Sequence, residues 1–269
     1  MAKPNKWDSV HDELEKKGKF DTYTTPILQH SVLPVDENYV YLPENILFRA
    51  YGAFLKFVCW LFAPIVNKIG FGVKIKGREN LKALKNTGAF SVSNHVHFMD
   101  NLMIRQAVNP RKDIYFTVAP HNCKKGFGGM TMRAGGILPF SGNAVAKTNM
   151  AAAMHELMLK KKLVHVYAEK ALWYRYEKPR PHKTGAYYFA YAEKVPVLPI
   201  FVCWRENKGL RKLLKLRKAA TVLILEPMYF DEKLDRFDAI VDLKNRVQQR
   251  YIDVYRQFYK VEGDIYLTD

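Results

Sequence analysis

From Val73 onward, short runs of branched apolar residues alternate with stretches of helical spacing, and this alternation narrows the possible folds most. The runs predict strands at 73–76, 88–93, 113–118, 136–140, 163–168, 196–202 and 221–226. Helices are predicted at 99–108, 147–161 and 184–194. Strand and helix in turn is the pattern of an α/β chain: a mostly parallel central sheet flanked by helices. With 269 residues, 48% of them apolar, the chain can build a large core of this kind.

The segments outside that pattern divide the chain further. Residues 1–44 read as a polar arm, broken at Pro26, Pro34 and Pro43, with one short helix at 12–19. Residues 45–72 read as a membrane-associating helix and 73–230 as the α/β core. Residues 231–269 read as a C-terminal helix packed on the core, with apolar residues at Ile240, Leu243, Val247, Tyr251, Val254 and Phe258. The run 46–66 is the most apolar in the chain and is nearly long enough to span a bilayer. Arg49 and Lys56 lie on one face of it and Trp60 and several phenylalanines on the rest, which suits a helix lying in a membrane interface. A buried core helix is the alternative, and its bases would then need partners. Segment 208–218 sets leucines on one side and bases on the other, a pattern of a membrane surface or of a solvated helix.

The charge balance is +17, from 43 basic and 26 acidic residues, which implies an anionic partner. An acidic lipid surface fits this, whereas no nucleic-acid-binding motif accompanies the bases. Three scattered cysteines, Cys59, Cys123 and Cys203, fit a reducing compartment and show no metal-ligand spacing. The polar start of the chain lacks the apolar centre of a secretion signal.

Chemistry concentrates in Ser93-Asn94-His95-Val96-His97-Phe98-Met99-Asp100. This stretch follows a predicted strand and precedes a predicted helix, a place where open α/β folds put their sites. His95 and Asp100 are five positions apart, about 140 degrees on a helix, so they meet only through a turn that enters the helix. An imidazole held by a carboxylate is a general base. His97, three residues before Asp100, is the rival partner. Further along come Gly135-Gly136-Ile137-Leu138-Pro139-Phe140, Val166-Tyr167-Ala168-Glu169, Lys183-Thr184-Gly185-Ala186 and Val195-Pro196-Val197-Leu198-Pro199-Ile200.

In these blocks, over about residues 73–226, the chain resembles the glycerolipid acyltransferase family, whose typical members acylate lysophosphatidate. That family carries Asn-His-x4-Asp, Gly-x-Ile-x-x-x-Arg, Phe-Pro-Glu-Gly-Thr-Arg and Val-Pro-Ile-x-Pro blocks in this order. The resemblance implies His95 as general base, Asp100 as its orienting carboxylate, and Asn94, Gly136 and Glu169 as substrate-binding positions; Lys170 and Lys183 join these as substrate-binding candidates from the bases nearby. Ser141 stands where the second-block arginine would be, and Lys170-Ala171-Leu172 replace the glycine, threonine and arginine of the third. The usual arginine grip on an acceptor phosphate is therefore absent, and Lys170, Arg175, Lys178, Arg180 and Lys183 are the candidate substitutes. Trp173, Tyr174 and Tyr176 could line a headgroup site or pack a loop.

The implied activity moves a fatty acyl group from acyl-CoA or an acyl carrier protein to a hydroxyl of a lysolipid, directly and without a cofactor or metal. Amides of the Gly135-Gly136 turn are candidate donors to the oxyanion. The implied partners are the acyl donor, the lysolipid acceptor and an anionic membrane surface, at the cytoplasmic face, with peripheral or monotopic attachment. The alternative is a diverged lipid-surface-binding protein of the same fold.

Overall fold

The computed structural model describes residues 7–27 and 29–266. Seven strands form one sheet: β1 (Lys74–Lys76), β2 (Ala89–Ser93), β3 (Ile114–Val118), β4 (Ile137–Pro139), β5 (Leu163–Tyr167), β6 (Val197–Arg205) and β7 (Ala219–Ile224). Their order is β1-β7-β6-β2-β5-β3-β4, and every pairing is parallel except β6 with β7. The mostly parallel sheet agrees with the alternation in the sequence. β2 lies at its centre, buried at every residue, between β5 and β6. Its apolar Phe90 and Val92 alternate with Ser91 and Ser93, whose hydroxyls bond the ring of His165 on β5.

Helices cover both faces. The α-helices are α1 (Asp8–Lys16), α2 (Ile46–Phe71), α3 (Asp100–Val108), α4 (Gly126–Ala134), α5 (Ala144–Leu159), α6 (Gly185–Ala192), α7 (Gly209–Leu213) and α8 (Arg236–Tyr259). On one face Met154 and Leu157 of α5, Tyr187 of α6, and Leu243, Val247 and Tyr251 of α8 pack on Phe90, Val164 and Phe201. On the other, Met103, Ile104 and Ala107 of α3 pack on Ile114, Leu163, Ile200 and Val202, with Leu81 and Leu84 of a 3-10 turn closing the end. Two cores on one sheet make a three-layer domain.

The arm differs from the extended segment expected. Its helix begins at Asp8, and α1 buries His11 and Glu15 against the loop that follows β5. Trp173, Ala171 and Tyr176 of that loop, with Leu14 and Phe20 of the arm, form a small separate core. The bases and aromatics of the arm–loop contact thus pack and pair rather than lie in solvent.

α2 is long and apolar enough to cross a membrane by length and composition. It nevertheless packs along its length on α3 and α4. Gly52, Ala63 and Asn67 face inward, and Asn67 donates 2.7 Å to the side chain of Gln106. Lys56 also turns inward, to Asp113 at 2.8 Å, so the expected basic stripe is split, with Arg49 exposed. α7 is shorter than the amphipathic helix expected over 208–218, because Lys215 takes a left-handed conformation (φ 49°) that ends it.

Candidate active site

The turn after β2 is fixed from three sides before any side chain reaches out. Asn94 is fully buried, and its amide both donates to and accepts from the backbone of Val202 at 2.9 Å, as an added strand residue would. The hydroxyl of Tyr251, on α8, lies 2.8 Å from the carbonyl oxygens of both Val92 and Ile200, and so joins β2 to β6 beneath the turn. The loop after β5 closes the third side, where Trp173 and Arg175 donate backbone N–H groups to the carbonyls of His95 and Val96 at 3.0 and 2.7 Å.

Asp100 opens α3, and its carboxylate points back into the turn. One oxygen, Oδ2, accepts from the backbone of Val96 and His97 and lies 2.8 Å from Nδ1 of His95. The other accepts from the Tyr167 hydroxyl at 2.6 Å. Burial alone would raise this carboxyl, but the His95 charge and the bonds from His95, Tyr167 and the His97 amide hold it below the usual carboxylate range. The helix N-terminus favours the same charge. Burial, with Asp100 alongside, pushes the Tyr167 hydroxyl well up, so it stays a donor. Its ring also stacks on the His95 imidazole, with centroids 3.8 Å apart. Nδ1 is thereby fixed as the carboxylate's partner, and among the described residues no side chain hydrogen-bonds Nε2. His95 lines an open groove of about 710 Å³.

The rival histidine has another task. Nδ1 of His97 accepts from the backbone of Met99 at 3.0 Å, the ring is buried among Phe71, Tyr174 and Trp204, and burial pulls it down to about 4. It is a neutral brace of the turn.

Glu169 and Arg180 do not line the groove. They form a fully buried ion pair at 2.7 Å, and Glu169 also accepts from the backbone of Arg180 at 2.8 Å and of His95 at 3.4 Å. Burial pushes Glu169 up, and the Arg180 charge pulls it back. Arg180 also donates to Phe20 and Ala171 carbonyls and lies over the Trp173 ring. It thus ties arm, loop and turn together. Two other candidate cations are equally committed, Lys178 to Glu15 and Arg175 to the Lys218 carbonyl. Lys170 and Lys183 do line the groove, and both reach the same carboxylate, Asp21 of the arm, at 3.4 and 2.9 Å.

Arg105, His121 and Lys124 also line the groove and were not singled out in the sequence. Arg105 donates to the carbonyl of Gly135 at 2.6 Å, a contact across thirty positions that spacing cannot reveal. Apolar walls come from Phe116, Met132, Ile137, Phe140 and Val166, and Cys59 of α2 stands on the lining. Gly136 itself is beneath the surface. It adopts φ 92°, and a Cβ there would lie 3.0 Å from the Tyr115 ring. The suggested oxyanion donors fail a simple count, because the N–H groups of Gly135 and Gly136 already donate to Thr131 and Arg133 carbonyls at 2.9 Å. Ser141, at the place of the second-block arginine, donates to the Val35 carbonyl and holds the arm. Among the described residues no group of three or more His, Cys, Asp or Glu could hold a metal ion.

No curated protein matches the chain. Among solved structures it is similar to the 1-acyl-sn-glycerophosphate (LPA) acyltransferase PlsC of Thermotoga maritima. The TM-score is 0.53 and the identity 17%, over 82% of this chain and 98% of that one, a likeness of fold. The family model of acyltransferases matches residues 72–203, from just before β1 into β6, the strand that pins the His95 turn. Over that span the chain belongs to the acyltransferase family.

Proposed function

We propose that the protein transfers a fatty acyl group from acyl-CoA or an acyl carrier protein to a hydroxyl of a lysophospholipid or related glycerolipid, resembling 1-acylglycerol-3-phosphate. The carrying observation is the 2.8 Å contact from His95 Nδ1 to a buried carboxylate beside a groove with apolar walls. Nε2 takes the acceptor's hydroxyl proton as its oxygen adds to the thioester carbonyl. The tetrahedral adduct collapses to the new ester, and the departing thiolate takes the proton back from the imidazolium. Asp100 keeps the tautomer and balances the imidazolium charge, so no protein nucleophile is used.

Lys170 and Lys183 are the groove cations best placed to meet an acceptor phosphate. Lys170 holds φ 70°, a conformation glycine adopts without cost, and the related third blocks have glycine there. Keeping a lysine at that point trades backbone ease for a charge on the groove. The anionic donor and acceptor both suit the excess of bases. α2, docked on the body with its aromatic side outward, suits peripheral or monotopic attachment at the cytoplasmic face of a membrane.

The test is to supply labelled acyl-CoA or acyl carrier protein with a panel of lysolipids and identify the product by mass. His95→Ala and Asp100→Asn should each lower kcat at least about a hundredfold with melting temperature retained. Undiminished turnover by His95→Ala would rule out this mechanism. A diverged lipid-surface-binding protein is the second reading, motivated by Lys170-Ala171-Leu172 in the third block. Liposome binding without thioester consumption across the whole panel would favour it.

A further inference from the structure

The loop between β6 and β7 exposes four leucines within seven residues, Leu210, Leu213, Leu214 and Leu216, with 42% to 77% of each open to solvent. Side chains of this kind normally turn inward, and a contiguous exposed group marks a surface that something else covers. The loop is built rather than slack. Asn207 donates to the Leu216 and Arg217 carbonyls, and Leu214 and Leu216 donate N–H groups back to Leu210 and Arg211.

Its charge points to the occupant. Lys208, Lys212, Lys215 and Arg217 surround the leucines and are exposed, while the loop's acidic residue, Glu206, pairs with Lys218 at 3.1 Å. Leucine tips within a ring of bases match a bilayer with anionic headgroups: the tips enter the acyl boundary and the bases stay among phosphates.

The loop is also fastened to α2. Arg211 donates to the carbonyl of Ile69 at 2.6 Å and of Gly70 at 3.4 Å, filling acceptors left open where that helix ends. Phe54, Phe57, Leu61, Ile65 and Ile69 form one exposed stripe along α2, and Ile69 brings that stripe to the loop. We infer that the leucine loop 208–217 is a second lipid-docking element, which with the outer stripe of α2 seats the protein on an anionic bilayer. The inference rests on the interfacial reading of α2 and adds to it the loop and its preference for acidic lipid.

Co-sedimentation with vesicles tests it, without reference to turnover. Full-length protein should sediment with phosphatidylglycerol–phosphatidylcholine vesicles and much less with phosphatidylcholine alone. Leu213→Ser with Leu214→Ser should weaken binding to the mixed vesicles by about tenfold or more. Lys212→Gln with Lys215→Gln should remove most of the preference for the acidic lipid. Melting temperatures at wild-type values would place both losses at the surface. Leucine variants that bind mixed vesicles as well as wild type overturn the loop's role. Wild-type protein that binds no vesicle overturns the interfacial reading of α2 as well. A concentration-dependent dimer that the leucine variants abolish would assign the surface to a second copy of the chain and overturn the proposal.

Discussion

Tyr167 touches both halves of the His95–Asp100 couple, donating to one carboxylate oxygen and stacking on the imidazole. Its bond helps hold the Asp100 carboxyl low. Without that donor the carboxylate loses one of the bonds that fix its position, and the imidazole it orients is held less firmly. For Tyr167→Phe, which keeps the stack, kcat is therefore expected to fall by about threefold to tenfold with KM unchanged. A kcat equal to that of the wild type would exclude the hydroxyl from the chemistry. Tyr167 was legible in the sequence only as part of a strand, because its role arises across the sheet. Arg180 was harder still: beside Lys178 and Lys183 it looks like one more surface base, and only the buried Glu169 eleven positions earlier gives it another meaning. The turn was easier to read, since a strand end, a polar turn and a helix start follow one another in sequence.

The elements most readable in the sequence are those whose burial is simplest. β6 is covered on both faces and appears as a nearly unbroken apolar run, while β2 and β5 carry Ser91, Ser93 and His165, which bond one another inside the sheet. α4 is hidden in the sequence, since Gly126, Gly128 and Gly129 suggest a loop; its packing on α2 supplies the support that its propensity lacks. At Gly129 a Cβ would lie 1.7 Å from the Lys124 carbonyl oxygen, so the composition that hid the helix also lets the chain fold tightly there. Two glycines of α2 divide in the same way. A Cβ on Gly52 would sit 2.8 Å from the Ala134 carbonyl oxygen of α4, whereas one on Gly70 meets nothing within 4 Å. Gly52→Val is expected to cost about 1–3 kcal/mol by forcing the helices apart. Gly70→Ala should gain about 0.5–1 kcal/mol by favouring the helix. Thermal melts of the two variants should shift in opposite directions, and a shared sign would contradict the packing described.

At the scale of the molecule, four histidines among the described residues are buried and pushed below their ordinary 6.5: His11 and His97 to about 4, His165 and His182 to about 3, each chiefly by burial. Below about pH 6.5 the unfolded chain takes up protons that these four refuse in the native state, so stability falls as pH falls, until the native pKa values are reached. Each adds a slope of up to about 1.4 kcal/mol per pH unit in that window. Glu169, pushed up by burial, works in the opposite sense, one group against four. The melting temperature is therefore expected to drop between pH 7 and pH 5, and a flat midpoint would place these rings in water. The C-terminal helix has a consequence of another kind. Tyr251, beneath the turn that carries His95, is delivered by the ribosome long after His95, Asp100 and Glu169 have emerged. A nascent chain thus holds the His95–Asp100 couple while its seat is unfinished, and the site is complete only when the closing helix docks.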